Sequence, residues 1–499
     1  GVRAPFRDHL SFTLRLAMST LALLALLAAA AAPASPAPDP LPAEVRRALA
    51  SSVPEGANVS LLARVRGEDE PLARLDADRT LIPASTGKLF TTACALDTLG
   101  PSHRFTTEFL ADGGMTADGV LKGPLYVRGG GDPQLKGEDL WAAVRHLVSA
   151  GLTRIEGGLV GDDAALEPPG RPPSWPRSGP AGARSFHAAQ GALSLAWNSL
   201  ELVVRPGPAP GRPARVALFP LEAPVRVAGR VVTGPKTDVR YDLVEADGSS
   251  PATLTVSGSI RAGAGPWRRW VRLGHPTRAV LRAARELLER SGVSVKGPIL
   301  VGRAPEGATL LHARESRRLA DLVSDINKYS SNFGAELLLR ALARASGRTG
   351  STAEGLEELG ACASRLGVSA SGVRLADGSG YGRANRLSAA SLVQLLAAGA
   401  ASPRFGAELV ASLPRAGEDG SLRRRLVDHA GRVRAKTGSL SGVAALAGYA
   451  TTEGGTEITF AILVNGDGAA VGPATVDGLL RGILAAAARR EREERAAAR

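Results

Sequence analysis

Residues 105–270 of this 499-residue chain differ in pattern from the sequence on either side of them. Short strand-like runs alternate there with glycine and proline turns: GPLYVRGGGDP, IEGGLVGDD, SLELVVRPGP, ARVALFPL, VRVAGRVVTG and ATLTVSGSI. Apolar residues then return to helical spacing at 277–292, 318–346, 352–367 and 387–400. The first pattern indicates β-structure, and the second indicates amphipathic helices. We therefore predict an α+β chain with a mostly β insertion, in one part or two.

Strand-like and helix-like segments also surround this insertion. VSLLARVRG at 59–67 and PLARLDAD at 71–78 predict two strands joined by an acidic turn. A helix is expected to begin near Pro83 and to end at Gly100. Near the other end, GRVRAKTG, GVAALAGYATT and EITFAILVNG predict three antiparallel strands, followed by a last helix over 472–495. That helix finishes in RREREERAAAR, which has no apolar face to bury, so we expect it to be solvated.

The first 34 residues have the pattern of an export signal. Three arginines precede the apolar run MSTLALLALLAAAAA, and Ala32-Pro33-Ala34 fits a cleavage site made of small residues. A transmembrane anchor is the alternative, but the run is short and passes into Ala/Pro-rich sequence, which favours cleavage. We predict a signal peptide over 1–34 and a Pro-rich linker over 35–45. The protein is then exported to the periplasm or cell envelope, without a stable transmembrane anchor.

Composition narrows the possible partners and cofactors. The net charge of +13 suits anionic cell-envelope polymers as well as nucleic acid, but aromatic residues make up only 4% of the chain. Because no basic block is interleaved with aromatics, stacking on bases is not expected, and we predict no nucleic-acid partner. Cys94 and Cys362 can form one disulfide or stay two buried thiols. With two cysteines and no H-E-x-x-H among seven histidines, we predict no structural metal.

Lysine is scarce in this chain, which makes each lysine informative. Seven of the 61 basic residues are lysines and the rest are arginines. An arginine supplies positive charge but keeps its proton, whereas a lysine can give its proton up. A position that keeps lysine here is therefore a candidate for proton transfer, although chance explains any single case as well. The seven are Lys88, Lys122, Lys136, Lys236, Lys296, Lys328 and Lys436.

PASTGKLF places Ser85 three residues ahead of Lys88, near the expected start of a helix. A phosphate-binding loop is excluded, because Ile82 occupies the position of its first Gly and Leu89 that of its Ser or Thr. At positions i and i+3 of a helix, the hydroxyl of Ser85 and the amine of Lys88 share a face. A serine that attacks a carbonyl needs a base, and a buried lysine with a lowered pKa can be that base. The pair alone is a weak signal.

Two further motifs follow Ser85 and Lys88 in the sequence. NKYSSNFGAELLLR contains Ser330 and Asn332 as S-x-N, and RAKTGSLSG contains Lys436 at the start of K-T-G near a strand end. Each has an ordinary explanation by itself, because Ser and Asn cap helices and strands often end in a Gly turn. The ordered set S-x-x-K, S-x-N and K-T-G is typical of penicillin-binding proteins and serine β-lactamases.

On these motifs the chain resembles the D-alanyl-D-alanine carboxypeptidase/D-alanyl-D-alanine-endopeptidase family, the low-molecular-mass class C penicillin-binding proteins. Ser85 and Ser330 lie 245 residues apart, which fits that family's inserted domains after the nucleophile helix. Other stretches that resemble its signatures are LYVRGGGDPQL, HAAQGALSLAWNSLELVVRPG, LADGSGYGRANRLS and LPRAGEDGSLRRRL. The resemblance implies a penicillin-binding/serine β-lactamase-like transpeptidase core, an antiparallel sheet flanked by helices. The expected division is a core at 46–104 and 275–485, a mostly β insertion at 105–274, and a charged helical tail at 486–499.

The same resemblance implies catalytic roles for five residues. Ser85 would attack the carbonyl of the penultimate D-Ala, and Lys88 would accept its proton. Ser330 and Lys436 would relay a proton to the departing amine. Asn332 would hold Lys88 and the substrate amide.

The resemblance also implies how the substrate is bound. Lys436 and Thr437 would bind its terminal carboxylate, and Gly438 would allow a close approach to the strand. Backbone N–H groups of Ser85 and Ser439 would form the oxyanion hole.

The implied substrates are peptidoglycan stem peptides that end in D-Ala-D-Ala or are cross-linked, with β-lactams as inhibitors and no cofactor. A serine β-lactamase-like hydrolase is one alternative, but the chain has no convincing Glu-x-x-x-Asn segment to supply a deacylating base. A non-catalytic peptidoglycan-binding scaffold is the other, and the intact set of motifs speaks against it.

Overall fold

The computed structural model describes residues 1, 41–176, 187–219, 225–244 and 252–499. The predicted signal peptide, apart from Gly1, and residues 35–40 of the predicted linker lie outside the described residues. Leu41–Arg499 forms one compact unit. Within the described ranges, no helix is long and apolar enough to cross a membrane.

The described residues contain the following helices and strands. The helices are α1 Ala43–Ser52, α2 Lys88–Leu99, α3 Gly137–Ser149, α4 Pro276–Arg290, α5 Leu319–Tyr329, α6 Asn332–Ala345, α7 Thr352–Arg365, α8 Ala389–Ala401, α9 Gly406–Ser412 and α10 Pro473–Ala497. The strands are β1 Asn58–Val65, β2 Pro71–Leu75, β3 Thr106–Ala111, β4 Val120–Leu121, β5 Leu125–Gly129, β6 Arg154–Ile155, β7 Leu159–Asp162, β8 Ser199–Arg205, β9 Arg215–Phe219, β10 Val225–Gly229, β11 Val232–Gly234, β12 Asp238–Val244, β13 Ala252–Arg261, β14 Trp267–Arg272, β15 Ser294–Val295, β16 Ile299–Val301, β17 Thr309–Glu315, β18 Val373–Arg374, β19 Arg386–Leu387, β20 Val433–Leu440, β21 Val443–Thr451 and β22 Glu457–Asn465.

A five-stranded antiparallel sheet joins segments from both ends of the described chain in the order β2-β1-β22-β21-β20. Its side chains alternate between two faces, as a pleated strand requires. Along β21, Ala445 and Ala447 pack into one hydrophobic cluster, and Leu446 packs into the other. The two predicted strands at 59–78 and the three at 431–466 are thereby confirmed, together with their antiparallel arrangement.

Helices cover both faces of this sheet. Side chains of α2 and α5–α9 build the cluster on one face, and those of α1 and α10 build the cluster on the other. A disulfide between Cys94 of α2 and Cys362 of α7 lies buried in the first cluster, which decides between the two predicted cysteine states. The predicted α+β fold, an antiparallel sheet flanked by helices, is confirmed.

The chain between α2 and α5 builds further sheets with hydrophobic clusters of their own. One sheet has the order β16-β7-β5-β3-β17 and packs against α3 and α4. Two others, β14-β8-β9 and β10-β13-β11 with β12 on β13, share a second cluster. The described part of the insertion is therefore strand-rich and divides into two packed parts, but one part also contains α3, which the strand pattern did not predict.

The second predicted boundary of the insertion, at residue 274, does not match the packing. α4 packs against β7, while β16 and β17 pair with β7 and β3. The segment 276–315 thus belongs to the insertion's sheet rather than to the core. Helical periodicity shows which face of a helix is apolar but not which sheet that face covers, so the error has a physical cause. The division into catalytic core and insertion otherwise stays a prediction.

Ion pairs join the last helix, α10, to the first helix, α1, and to the turn between β1 and β2. α1 begins at Ala43, so the last residues of the predicted linker, which extended to 45, already form a helical turn. Arg489 of α10 contacts Glu44 with a 3.0 Å Nε–Oε1 distance, and Arg490 contacts Glu68 in the turn between β1 and β2. Ala486 and Ala487, at the start of the predicted charged tail, still pack into the hydrophobic cluster, whereas the helix from residue 492 to Ala497 is exposed.

Candidate active site

The S-x-x-K motif lies in a tight turn that leads into α2. Ala84–Gly87 form a single 3₁₀ turn, and the α-helix begins at Lys88. Thr86 closes the turn by donating from Oγ1 to the Pro83 carbonyl at 2.7 Å. This geometry places the Lys88 amine 2.9 Å from the Ser85 hydroxyl oxygen. The predicted pairing of the two side chains on one face is therefore present.

Lys88 is fully buried, and each of its three N–H bonds has an acceptor. Besides Ser85 Oγ, its Nζ donates to Asn332 Oδ1 at 2.7 Å and to the Ser379 carbonyl at 2.9 Å. Burial disfavours the ammonium form and lowers the pKa of Lys88 to about 7. A lysine with that pKa can hold or release a proton near neutral pH, which an arginine in the same place could not do.

Two buried carboxyl groups hold the turn whose carbonyl accepts a hydrogen bond from Lys88. Glu336 of α6 accepts hydrogen bonds from the backbone N–H groups of Gly378 and Ser379 at 3.0 and 2.9 Å. Asp377 accepts from the backbone N–H of Ser379 at 3.2 Å and from its hydroxyl at 3.0 Å. Together they fix the turn whose carbonyl faces Lys88. Burial, and next the nearby Asp377 carboxylate, raise the pKa of Glu336 to about 8.

The S-x-N motif occupies the break between α5 and α6. Ser330 ends α5 with φ 58°, and Ser331 caps α6 by accepting from the Gly334 N–H at 3.1 Å. The break separates what the sequence predicted as one continuous helical stretch. It also turns the hydroxyl of Ser330 and the amide of Asn332 toward the same cleft, where Asn332 reaches Lys88 and Ser330 reaches Lys436.

Lys436 is the second buried lysine of the cleft. Its Nζ donates to Ser330 Oγ at 3.0 Å and to the Thr437 carbonyl at 2.8 Å. Burial is the main reason that its pKa lies well below the ordinary value, and the positive charges of Lys88 and Arg425 lower that pKa further. The cleft thus holds two serine–lysine pairs, Ser85 with Lys88 and Ser330 with Lys436.

The K-T-G strand approaches the nucleophile turn closely at Gly438. A Cβ atom at this position would lie 2.7 Å from the Pro83 carbonyl oxygen and 3.1 Å from the Ala84 Cβ. Because Gly438 has no side chain, β20 can pack directly against the 3₁₀ turn that contains Ser85. Ser439, the next residue, is exposed at the mouth of the cleft. In the described part of the chain, its side chain joins neither serine–lysine pair.

Sequence reasoning missed four polar residues that complete the site. Ser379 and Ser421 contact the motif residues Lys88 and Thr437 directly, and Glu336 and Asp377 hold Ser379. Asp377 and Ser379 lie in LADGSGYGRANRLS and Ser421 in LPRAGEDGSLRRRL, two stretches that carried the family resemblance. The available signal was therefore their presence in those signatures. Which atoms they contact depends on tertiary packing that no local pattern contains.

Three comparisons with known proteins agree with this arrangement. Residues 41–484 match the D-Ala-D-Ala carboxypeptidase 3 (S13) family. A D-alanyl-D-alanine carboxypeptidase from Actinomadura sp. (strain R39) is 33% identical over 429 residues, which cover 83% of this chain and 78% of that protein. The D-alanyl-D-alanine carboxypeptidase DacB of Haemophilus influenzae is 26% identical, over 84% of this chain and 87% of that protein.

The fold is also similar to that of solved penicillin-binding proteins. The crystal structure of penicillin binding protein 4 (dacB) from Haemophilus influenzae superposes with a TM-score of 0.75 and 25% identity, covering 88% of this chain and 98% of that one. A second structure of that protein, in complex with a β-lactam, gives a TM-score of 0.71. On the match of 41–484, this chain belongs to the D-Ala-D-Ala carboxypeptidase 3 (S13) family.

Proposed function

We propose that this protein is a serine-type D-Ala-D-Ala carboxypeptidase that acts on peptidoglycan stem peptides and also cleaves peptide cross-links as an endopeptidase. Family membership supports a hydrolase of this class. The observation that carries the proposal is the Lys88 amine, fully buried, at 2.9 Å from the Ser85 hydroxyl and with a pKa near 7. A hydroxyl beside such a base is an activated nucleophile.

In the acylation step, Ser85 Oγ attacks the carbonyl carbon of the penultimate D-Ala while its proton passes to Lys88. The C–N bond to the terminal D-Ala breaks, and the leaving nitrogen takes up a proton. Ser330 is in position to deliver that proton, because its hydroxyl contacts Lys436 at 3.0 Å. Water then attacks the acyl-enzyme, which releases the shortened peptide and restores the Ser85 hydroxyl.

Substrate recognition is assigned to the K-T-G strand. Lys436 and Thr437 bind the terminal carboxylate, because the strand brings a cation and a hydroxyl to one wall of the cleft. Asn332 holds Lys88 at 2.7 Å and is placed to contact the substrate amide. The backbone N–H groups of Ser85 and Ser439 form the oxyanion hole, with Gly438 allowing the two segments to lie side by side.

The proposed setting is the cell envelope. A substrate in peptidoglycan requires an exported enzyme, and we assign the protein to the periplasm or the envelope space. β-Lactams mimic the D-Ala-D-Ala end and should acylate Ser85. The β-lactam complex of the Haemophilus influenzae penicillin-binding protein supports this inhibitor class.

Digestion of purified sacculi tests the proposal directly. Wild-type protein should release D-Ala and reduce cross-linked dimers, both measured by mass spectrometry of the muropeptides, and should take a fluorescent penicillin label that Ser85→Ala loses. D-Ala release without loss of dimers would limit the function to carboxypeptidase. Rapid turnover of penicillin would favour a β-lactamase. Failure of Ser85 to be labelled, with no products, would contradict the enzymatic proposal.

A further inference from the structure

A row of four side chains crosses the five-stranded sheet beside the catalytic cleft. Arg434 of β20 pairs in register with Tyr449, Tyr449 with Thr459, and Thr459 with Arg64 of β1. Paired positions on neighbouring strands put their side chains on the same face. Arg434 precedes Lys436 by two residues on that face, but the row lies outside the site described above. Its two ends are arginines.

This row forms the polar side of a cavity of about 400 Å³. The volume lies within the range of about 300–1,000 Å³ that is usual for small-molecule sites. Val393, Ala397 and Ala400 of α8 line the cavity together with Val410 of α9 and the ring of Tyr449. A wall of small apolar residues therefore faces a row of polar side chains, and the cavity is amphipathic in cross-section. Within this row, the Tyr449 hydroxyl already donates to the Leu396 carbonyl of α8 at 2.8 Å, which leaves Arg64, Thr459 and Arg434 to meet a ligand.

The arginines at the two ends of the row have guanidinium N–H groups that could bind a ligand. In the described ranges, neither the Arg64 nor the Arg434 guanidinium makes a side-chain hydrogen bond or an ion pair, and the buried Arg64 Nε has no hydrogen-bond partner. Burial and the nearby Arg415 lower the pKa of Arg434, while the carboxylates of Asp419 and Glu418 act in the opposite direction. A buried donor without a partner is costly, and an anionic ligand beside Arg64 would satisfy this one while pairing with the Arg434 guanidinium.

The other charged groups of the cavity leave a positive excess. Arg66 is paired with Glu457 at 2.7 Å, and Arg432 with Glu453 at 2.8 Å, so these two arginines are already occupied. Glu457 is the single acid among the cavity-lining residues. Because neighbouring strands are about 4.8 Å apart, the ends of the row are separated by about 14 Å, a gap that two arginine side chains can span from opposite sides.

We infer that this cavity, formed by Arg64, Arg434, Thr459, Tyr449 and the α8–α9 wall, binds a small amphiphilic anion: a carboxylate or phosphate attached to a compact apolar group. The anionic group lies over Thr459 between the two guanidiniums, which suit planar oxyanions. The apolar group packs against α8. The site is separate from the Ser85 cleft and does not depend on the function proposed for that cleft.

Calorimetric titration of the full chain tests the inference with two probes, phenyl phosphate and phenylacetate. At least one should bind saturably, and which one binds tighter distinguishes a phosphate from a carboxylate ligand. Arg64→Gln and Arg434→Gln should each weaken binding about tenfold, as expected when a charge-assisted hydrogen bond is lost. The matched control is Arg290→Gln, an exposed arginine of α4 outside the cavity, which should bind as the wild type does.

Arg64 makes the test independent of catalysis, because it lies three strands away from the K-T-G strand. Thermal melting distinguishes a folding defect from a binding defect. The better probe should raise the melting temperature of the wild type and of Arg290→Gln equally, and that of Arg64→Gln by less. The inference is overturned if neither probe binds, or if both cavity variants bind as tightly as the wild type. It is also overturned if inorganic phosphate binds as tightly as phenyl phosphate, because the apolar wall would then contribute nothing.

Discussion

The two sides of the catalytic cleft each present a serine to a buried lysine, yet their surroundings differ. Lys88 has two carboxyl groups behind it, and the charges of Glu336 and Asp377 oppose the effect of burial on its pKa. Lys436 has positive neighbours instead, Lys88 and Arg425, and both lower its pKa further. The two lysines are therefore not equivalent, although both are fully buried.

The difference indicates a division of labour. A base that must accept a proton and return it in each cycle works best with a pKa near the operating pH, and the carboxylates keep Lys88 there. Lys436 contacts a hydroxyl and its own strand's carbonyl, and a substrate carboxylate would bring the negative charge that it lacks. The surroundings of the two lysines thus favour proton exchange with the nucleophile on the Lys88 side, and binding of a carboxylate next to the Ser330 relay on the Lys436 side.

Replacing each lysine by arginine should reveal the largest functional difference between the two sides of the cleft. Lys88→Arg keeps the positive charge but removes the exchangeable proton, so the rate of Ser85 acylation should fall about 10³-fold, within the range usual for loss of a general base. Lys436→Arg keeps a group that can bind a carboxylate and should lose only about tenfold. Stopped-flow acylation by a penicillin measures both rates. Equal losses in the two variants would contradict the division of labour.

The disulfide stabilises the side of the cleft that contains Lys88. Cys94 lies on the nucleophile helix α2, and its bond to Cys362 closes a loop with a sequence separation of 268 residues. In the chain-entropy model, closing so long a loop contributes about 5 to 6 kcal/mol of folding stability, at the upper end of what disulfides contribute. The double variant Cys94→Ala/Cys362→Ala should therefore unfold at clearly lower denaturant concentration. Urea titration followed by circular dichroism measures this loss, and an unchanged midpoint would show that noncovalent packing alone holds α2.

The sequence motifs predicted which lysines lie in the cleft better than they predicted the charged groups around those lysines. The three motifs and the scarcity of lysine pointed to Lys88 and Lys436, both of which are buried with lowered pKa values. Chain patterning could not reveal Glu336, because its role depends on two backbone N–H groups about 42 residues away. The cysteine pairing and the packing of 276–315 stayed beyond prediction for the same reason: both are set by which surfaces meet in three dimensions.

The pH profile of acylation tests the role of those carboxylates. Lys88 acts as a base only when neutral, so the acylation rate of the wild type should rise with pH through about 7, the pKa of Lys88. Glu336 raises this pKa only when it is ionised, and its own pKa of about 8 keeps it mostly protonated along the acid limb, so Glu336→Gln should shift that limb only slightly to lower pH.

The plateau rate of Glu336→Gln should itself fall. The Gly378 and Ser379 N–H groups donate to different oxygens of Glu336, and glutamine places an NH2 donor where one of these oxygens accepts. Lys328→Gln serves as the control, since Lys328 pairs with Asp419 outside both serine–lysine pairs. An acid limb that moves far to lower pH in Glu336→Gln would mean instead that Glu336 is ionised near neutral pH and acts strongly on Lys88 through its charge.

The smallest expected effect concerns Ser421 on the Lys436 side. Its hydroxyl accepts a hydrogen bond from Thr437 Oγ1 at 2.7 Å and so orients the threonine proposed to bind the substrate carboxylate. Ser421→Ala removes one hydrogen bond of about 1 kcal/mol, so KM for a D-Ala-D-Ala peptide should rise about fivefold while kcat changes little. A peptide that lacks the terminal carboxylate should be cleaved equally by both proteins. A fall in kcat with unchanged KM would instead place Ser421 in the proton relay, and the separation between a proton-exchanging side and a carboxylate-binding side would then no longer hold.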